Sequence, residues 1–157
     1  KAACEALKTH PELKFLIVGG GSLKESLAAL AVDLKIEDNV IFAPPCRDIT
    51  GYLNITDINV ILSKYGGKSA VLRSMSLNLP SIVSDDMLSL EIVEDGVNGL
   101  VFERGNSETL YTAMITLAEN SELTDRLGDI SGKMFDNKFS ALRVAKAYED
   151  LYANVFS

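Results

Sequence analysis

Few residues in this chain could hold a metal ion. There is one histidine, His10, and there are two cysteines, Cys4 and Cys46. None stands at a metal-ligand spacing, so a zinc site lacks the ligands to close. The cysteines read as reduced thiols of a cytosolic protein. Long apolar runs are also missing. None approaches the roughly 20 residues that cross a bilayer, and no secretory signal pattern is present. Positive charge is in deficit, with a formal net charge of −7 over 157 residues. An acidic domain is a poor binder of nucleic acid or anionic membranes, although a local basic pocket can persist inside it. What is present is the balance of a globular protein, 47% apolar and 24% charged. That length suits one well-packed domain and not two.

The chain opens on Lys1, in mid-pattern. KAACEALKTHPEL runs as a helix with Ala3, Cys4 and Leu7 on one face and nothing before it to pack against. We therefore expect a single domain, 1–157, cut or ordered from a larger two-domain protein. An alternation follows. KFLIVGGG (14 to 21) is a buried strand and its glycine turn. SLKESLAALAVDLKI is a helix with Ser22 as N-cap, Glu25 completing a capping box, and Leu23, Leu27, Leu30 and Leu34 as its apolar stripe. NVIFAPP (39 to 45) is a second strand, RDITGYLNIT a short helix, and DINVILSK (57 to 64) a third strand. SAVLRSMSLN is a helix burying Val71, Leu72 and Met75. PSIVSD (80 to 85) is a fourth strand, SLEIVED a short helix stopped by Gly96, and NGLVFE (98 to 103) a fifth strand. Beyond Ser107 the pattern is purely helical, with Ser107, Ser121 and Ser140 as caps. The second of these helices is expected to break near Gly128 or Gly132. The third carries Leu142, Ala145, Tyr148, Leu151 and Tyr152 on one stripe.

Apolar strands alternating with helices predict an α/β fold, a Rossmann-like parallel sheet with helices on both faces and a helical C-terminal segment. Ligands of such sheets lie at the carboxyl ends of the strands. The loops of interest are therefore GGGS (19 to 22), APPCRD (43 to 48), KYGGKS (64 to 69) and SDDMLS (84 to 89).

KYGGKS is the most suggestive. Gly66 and Gly67 permit a sharp turn and close approach by a ligand. With Ser69 as cap, the N–H groups of Gly67, Lys68 and Ser69 would point outward at the positive end of the helix dipole, an anion site with Lys68 beside it. Arg73 lies four residues past Ser69, on the same helix face. Tyr65, Gly66, Gly67, Lys68, Ser69 and Arg73 could line one edge of a cleft. The spacing fits equally well a tight strand-to-helix turn with a solvated arginine. GGGS, with Gly20 at its centre, matches neither a full Walker pattern nor a full G-x-G-x-x-G pattern and reads first as a plain turn. There is no nucleophile elbow and no Cys-His pair. Asp85–Asp86 and Glu94–Asp95 read as solvated loop charge.

The sequence resembles the C-terminal, donor-nucleotide-binding domain of GT-B glycosyltransferases of the large retaining family 4, or group 1. HPELKFLIVGGGSLKESLAALAVDLKIEDNVIFAP is similar to that family's strand, glycine turn, helix and next strand. NLPSIVSD followed by EIVEDGVNGLVFE is the most specific stretch, with Pro80, Glu91, Asp95, Gly96, Asn98 and Gly99 at family positions. FSALRVAKAYEDLY is similar to the closing helix, which in full-length members crosses back to the N-terminal domain. The resemblance implies a donor site that includes Tyr65, Gly66, Gly67, Lys68, Ser69, Arg73, Gly20 and Pro44. It also implies departures. Tyr65 and Arg73 hold the places of the family's two hallmark glutamates, and Met87 and Leu88 replace a Gly-Gly pair. The family's first C-terminal-domain strand, with its nearby basic residues, is absent too.

Two functions follow from the resemblance. The parent protein transfers a sugar from a nucleotide-sugar donor to a saccharide, lipid or protein acceptor, as a retaining hexosyltransferase. Alternatively it is a degenerate, non-catalytic homologue that binds a glycan or supports a partner subunit. A sugar epimerase on a related fold is a third, weaker reading. No catalytic residue is assigned, and the fragment alone is not expected to be active. The implied substrates are a nucleotide sugar and a glycan-type acceptor, without a metal ion or other cofactor and without nucleic acid. The implied location is cytoplasmic, with peripheral membrane contact open to the full-length protein.

Overall fold

A computed structural model describes residues 1–62, 67–85 and 90–155. Among the described residues there are five short strands, each parallel to the strand it pairs with. They are β1 (Phe15–Val18), β2 (Val40–Ala43), β3 (Asn59–Ile61), β4 (Ser81–Ser84) and β5 (Gly99–Phe102). The helices are α1 (Ala2–Thr9), α2 (Lys24–Asp33), α3 (Thr50–Leu53), α4 (Gly67–Met75), α5 (Ser107–Glu119), α6 (Ser121–Met134) and α7 (Ala141–Val155). The expected single sheet is in two pieces, β1 with β2 and β3-β4-β5. Among the described residues, no backbone pairing joins β1 to β3.

The three-stranded piece is buried on both faces, as its unbroken apolar pattern requires. Residue alternation along each strand divides the core in two. Val60, Ile82 and Leu100 face a cluster with Ala2, Ala6, Ala113, Met114, Leu117 and Leu127, from α1, α5 and α6. Ile61, Val83 and Val101 face Val71 and Met75 of α4, with Met134, Phe135 and Phe139. Between β3 and α4 lies a buried polar contact: Asn59 Nδ2 donates to Ser74 Oγ at 2.6 Å, and Ser74 Oγ donates to the Ala70 carbonyl at 3.0 Å. α1 buries Ala2 and Ala6 rather than the Ala3–Leu7 face, because it has a neighbour after all, α5.

Several local expectations are corrected. The caps of α5 and α6 are Asn106 and Asn120, one residue before the serines. The Asn106 side chain accepts from the Glu108 and Thr109 N–H groups, and Asn120 accepts from Leu123 N–H. Ser140 does precede α7, but its hydroxyl donates to the Asp136 carbonyl. Ser22 caps nothing, because α2 starts two residues later, after Leu23. α6 does not break at its glycines. A Cβ on Gly128 would strike the Asn78 carbonyl oxygen, and one on Gly132 the Asn78 side chain. These glycines let α6 lie directly on the turn after α4, where Asn78 takes a left-handed φ of 54°. A π-turn, Phe135–Phe139, joins α6 to α7.

The stripe of α2 is not buried. Leu23, Leu27 and Leu30 are exposed and only Ala31 is covered, because the β1–β2 piece presents too little surface to receive it. α7 buries no residue at all. Its expected stripe of Leu142, Tyr148, Leu151 and Tyr152 stands open among the described residues.

Gly99 tests the packing of the three-stranded piece. A Cβ there would run into the Ser81 carbonyl oxygen and Val93 Cγ1, whereas one on Gly51 in α3 meets nothing. Gly99→Ala is expected to lower the free energy of unfolding in urea by about 1–3 kcal/mol. Gly51→Ala should be neutral or stabilising by up to about 1 kcal/mol. Equal effects would show that the close approach of β5 to β4 carries no energy.

His10 gives a pH test. Its Nε2 is 2.9 Å from Glu119 Oε1 of α5, and its Nδ1 is 3.2 Å from Glu12 Oε1. The Glu119 contact first, and then the Glu12 contact, raise the imidazole pKa above 6.5. A pKa raised by folding stabilises the native state below the unfolded value of 6.5. That contribution is lost as pH rises through the folded-state value. The Tm difference between wild type and His10→Gln should therefore be widest near about pH 5.5 and close by about pH 8.5. A difference independent of pH would exclude the clasp.

Candidate functional site

The parallel strands end on one side, and the loops leaving them define the site. On the β1–β2 side, Gly19 and Gly21 take φ values of +147° and +134°, which few side chains tolerate. Gly19 N–H donates to the Ala43 carbonyl at 3.2 Å. Gly20 lies against the Pro45 ring, and both Gly20 and Pro44 are exposed. The glycine turn and the proline turn thus form one continuous edge.

α4 supplies the opposite edge. The helix already includes Gly67, so Ser69 is a residue of its first turn rather than its cap. The cap position falls on residues outside the described set. The first N–H groups of any helix have no intrahelical partner. Those of Gly67, Lys68 and Ser69 find no other acceptor among the described residues. Gly67 is buried, Lys68 half-buried and Ser69 exposed, so the turn opens to solvent through Ser69.

Two ion pairs flank this helix. Lys68 Nζ donates to Glu91 Oε2, in the segment that follows β4. Arg73 Nη1 donates to Asp48 Oδ1 at 2.7 Å, in the loop that follows β2. α4 therefore touches loops from both pieces of the sheet. The Arg73 side chain is partly exposed, and its guanidinium is turned toward the β2 loop.

Asp48 is held firmly. The same Oδ1 also accepts from the Thr50 hydroxyl and from Thr50 N–H at 3.0 Å. The Thr50 hydroxyl, then its N–H, then the Arg73 charge hold the Asp48 carboxyl below its ordinary range. The carboxylate is ionised at any neutral pH. Sequence reasoning passed over Asp48. The available signal was Asp two residues before Thr, the pattern of a turn in which the side chain accepts the N–H two residues on.

The segment from Leu90 to Asn98 is built of turns and not the expected helix. Asn98, fully buried, takes over the backbone groups that a helix would have used. Its Oδ1 accepts from Glu94 N–H at 2.7 Å, and its Nδ2 donates to the Ile92 carbonyl at 2.9 Å. Asp95 Oδ1 accepts from Val101 N–H at 2.8 Å, and Asp85 Oδ1 from Arg104 N–H at 3.0 Å. Asp85 and Asp95 are exposed, as expected of loop charge, and each also accepts a backbone N–H. The corner fixes Glu91 one residue before the buried Ile92, within reach of Lys68.

Of the expected site residues, the structure brings Lys68 to Glu91 and Arg73 to Asp48, and it sets Gly20 beside the proline turn. Tyr65 and Gly66 lie outside the described residues, as do Asp86, Met87 and Leu88. An open groove of about 670 Å³ lined by Asp136, Asn137, Ser140, Leu142, Arg143 and Lys146 shares no residue with this cluster. Cys4 and Cys46 are free thiols. No described helix is long and apolar enough to cross a membrane.

Asn98 makes the corner testable. Asn98→Ala strands a buried N–H and a buried carbonyl and should cost about 2–4 kcal/mol of stability in urea unfolding. Asn98→Asp, which loses the donor and brings a buried carboxylate against the Ile92 carbonyl, should destabilise as well, and more at neutral than at acid pH. A neutral Asn98→Ala would mean that the corner holds Glu91 by other means.

Comparison with known proteins agrees with this architecture. Residues 1–134 match the profile of the family "Glycosyl transferases group 1". The putative glycosyltransferase EpsD of Bacillus subtilis (strain 168) is 28% identical over 154 residues, 98% of this chain. The chain spans 40% of that relative's length. Among solved structures, S. aureus TarM in complex with Fondaparinux, alpha-GlcNAc-glycerol and UDP superposes with a TM-score of 0.85. Identity there is 23%, over 96% of this chain and 31% of TarM. The C-terminal domain of a group 1 glycosyl transferase, LpcC from Francisella tularensis, superposes with a TM-score of 0.82 at 21% identity. That alignment covers 89% of this chain and 76% of the LpcC domain. Profile and topology concur: the chain belongs to the group 1 glycosyl transferases and has the fold of this region of TarM and LpcC.

Proposed function

We propose that this chain is the donor-nucleotide-binding domain of a retaining hexosyltransferase. The donor is a nucleotide sugar, the acceptor a saccharide, lipid or protein, and no metal ion is required. The observation that carries the proposal is the position of α4. The helix is tied at its first turn, through Lys68, to the segment after β4, and further along, through Arg73, to the loop after β2. A diphosphate at that turn would accept from the N–H groups of Gly67, Lys68 and Ser69, with favourable helix-dipole and lysine charge. Lys68 would exchange Glu91 for a phosphate oxygen. An exposed ion pair of this kind costs only about 0–1 kcal/mol to open. Tyr65, Gly66, Gly20 and Pro44 complete the proposed rim.

Transfer by such a site rests on holding the reactants in line and stabilising the departing diphosphate. TarM, whose structure holds UDP and a GlcNAc-glycerol together, has the same fold over this region. Because the chain spans 40% of the EpsD relative, the acceptor-binding part is proposed to belong to a longer protein. The open stripe on α7 is a surface that such a part could cover. A partner-subunit role without catalysis is not favoured, since the relative and the fold neighbours are glycosyltransferases.

Calorimetric titration of the full-length protein with UDP, GDP and ADP tests the proposal. At least one should bind in the micromolar range, and Lys68→Ala should weaken it about tenfold or more. Absence of binding to every nucleoside diphosphate would overturn the assignment.

A further inference from the structure

The sheet breaks between β1 and β3, and both strands turn unpaired backbone toward the break. Successive residues of a parallel strand direct their N–H and C=O groups to opposite edges. Gly19 N–H donates to the Ala43 carbonyl, so Ile17 also addresses β2, while Leu16 and Val18 address the other edge of β1. Asn59 N–H donates to the Pro80 carbonyl, so Ile61 also addresses β4, while Val60 addresses the other edge of β3. Among the described residues neither of those edges has a pairing strand. Yet Leu16, Val18 and Val60 are half-buried. Peptide groups sheltered from water are costly to leave without partners. The two edges also flank one core, because Phe15 of β1 and Val60 of β3 pack against the same cluster.

The handedness of the connections shows what belongs in the break. α4 leads from β3 to β4 on the face of Ile61 and Val83. It meets the β2 loop through Arg73 and Asp48, which puts the β1–β2 piece on the free side of β3. α1 leads into β1 on the opposite face, that of Phe15 and Val60. Crossovers between parallel strands are right-handed, so crossovers on opposite faces step along a sheet in opposite directions. α4 steps away from β1. α1 therefore steps away from β3, and the strand it comes from stands between β3 and β1. We infer that one further parallel strand, supplied by a segment of the longer protein preceding Lys1, fills the gap between β1 and β3 and joins the two pieces into one sheet. The resulting order, with β2 and β1 on one side and β3, β4 and β5 on the other, is that of a sheet wound outward from its centre. A strand covered on both faces is a short apolar run without proline. The chain spans 40% of the EpsD relative, which leaves ample sequence outside it to supply such a run. The loop leaving the strand opens between the glycine turn after β1 and the start of α4. This chain thus carries the flanks of the strand-end site, and the segment supplies its middle. The inference stands apart from the donor-binding reading, because it uses no contact with a nucleotide.

Hydrogen exchange in the full-length protein, resolved residue by residue by NMR, tests it. The N–H groups of Leu16, Val18 and Val60 should exchange about 100-fold or more slower than unstructured amides, as those of Ile17 and Ile61 do. Backbone nuclear Overhauser contacts from Leu16, Val18 and Val60 should converge on one short segment preceding Lys1. Exchange of the three amides at the unstructured rate overturns the inference. So does protection whose contacts lead to side chains alone, to a segment after Ser157, or to a second copy, the last recognised by protection that rises with protein concentration. Nucleotide titration has no bearing on any of these outcomes, so the failure of either reading leaves the other standing.

Discussion

Everything in the fold depends on β4 being buried on both faces. Ile82 and Val83 are adjacent residues, both fully inaccessible, and each belongs to a different core. Their neighbours repeat the division in register: Val60 and Leu100 flank Ile82, and Ile61 and Val101 flank Val83. A slip of one residue would exchange the two faces of the strand. Val83 would then meet the close-packed alanines of α1 and α5, and Ile82 the narrow contact with α4. Because the register is fixed this way and each strand runs parallel to its partner, their carboxyl ends open on one side.

The same constraint explains what could be read from the sequence and what could not. The strands were legible because FLIV, VIFA, NVI, SIVS and GLVF are short apolar runs between turn residues, and each became a strand. The caps were misplaced by one residue because Asn-Ser occurs twice, at Asn106 and Asn120, and both residue types cap well. Only the backbone decides. Asn106 is extended, at φ −93° and ψ 104°, and the serine after it is already helical. EIVED has the periodicity of a helix, yet Asn98 takes the groups that helix would pair, from several residues away. Arg73 could be placed on the correct helix face from spacing alone. Its partner Asp48, 25 residues earlier, could not, because the contact crosses between the two pieces of the sheet.

The apolar stripes of α2 and α7 show the converse limit. Periodicity identifies a face that prefers to leave water, but it does not supply the surface that receives it. α2 buries only Ala31 and α7 buries no residue, so among the described residues neither stripe is covered.

The ion pairs around α4 are best understood by asking what would happen to the helix without them. Its inner side is anchored by Val71, Ser74 and Met75, all fully buried, and by the Asn59 contact. Those groups contribute kilocalories, whereas the exposed pairs Lys68–Glu91 and Arg73–Asp48 are screened by solvent and contribute little. Stability therefore does not require Lys68, Arg73, Glu91 or Asp48 to be where they are. What the pairs do fix is direction. Each holds a charged group at the rim of the strand ends, on a loop of its own, in a geometry that a ligand can alter at little cost. The helix is anchored by its buried side, and the exposed ion pairs on its outer side set the direction of its charges without anchoring it.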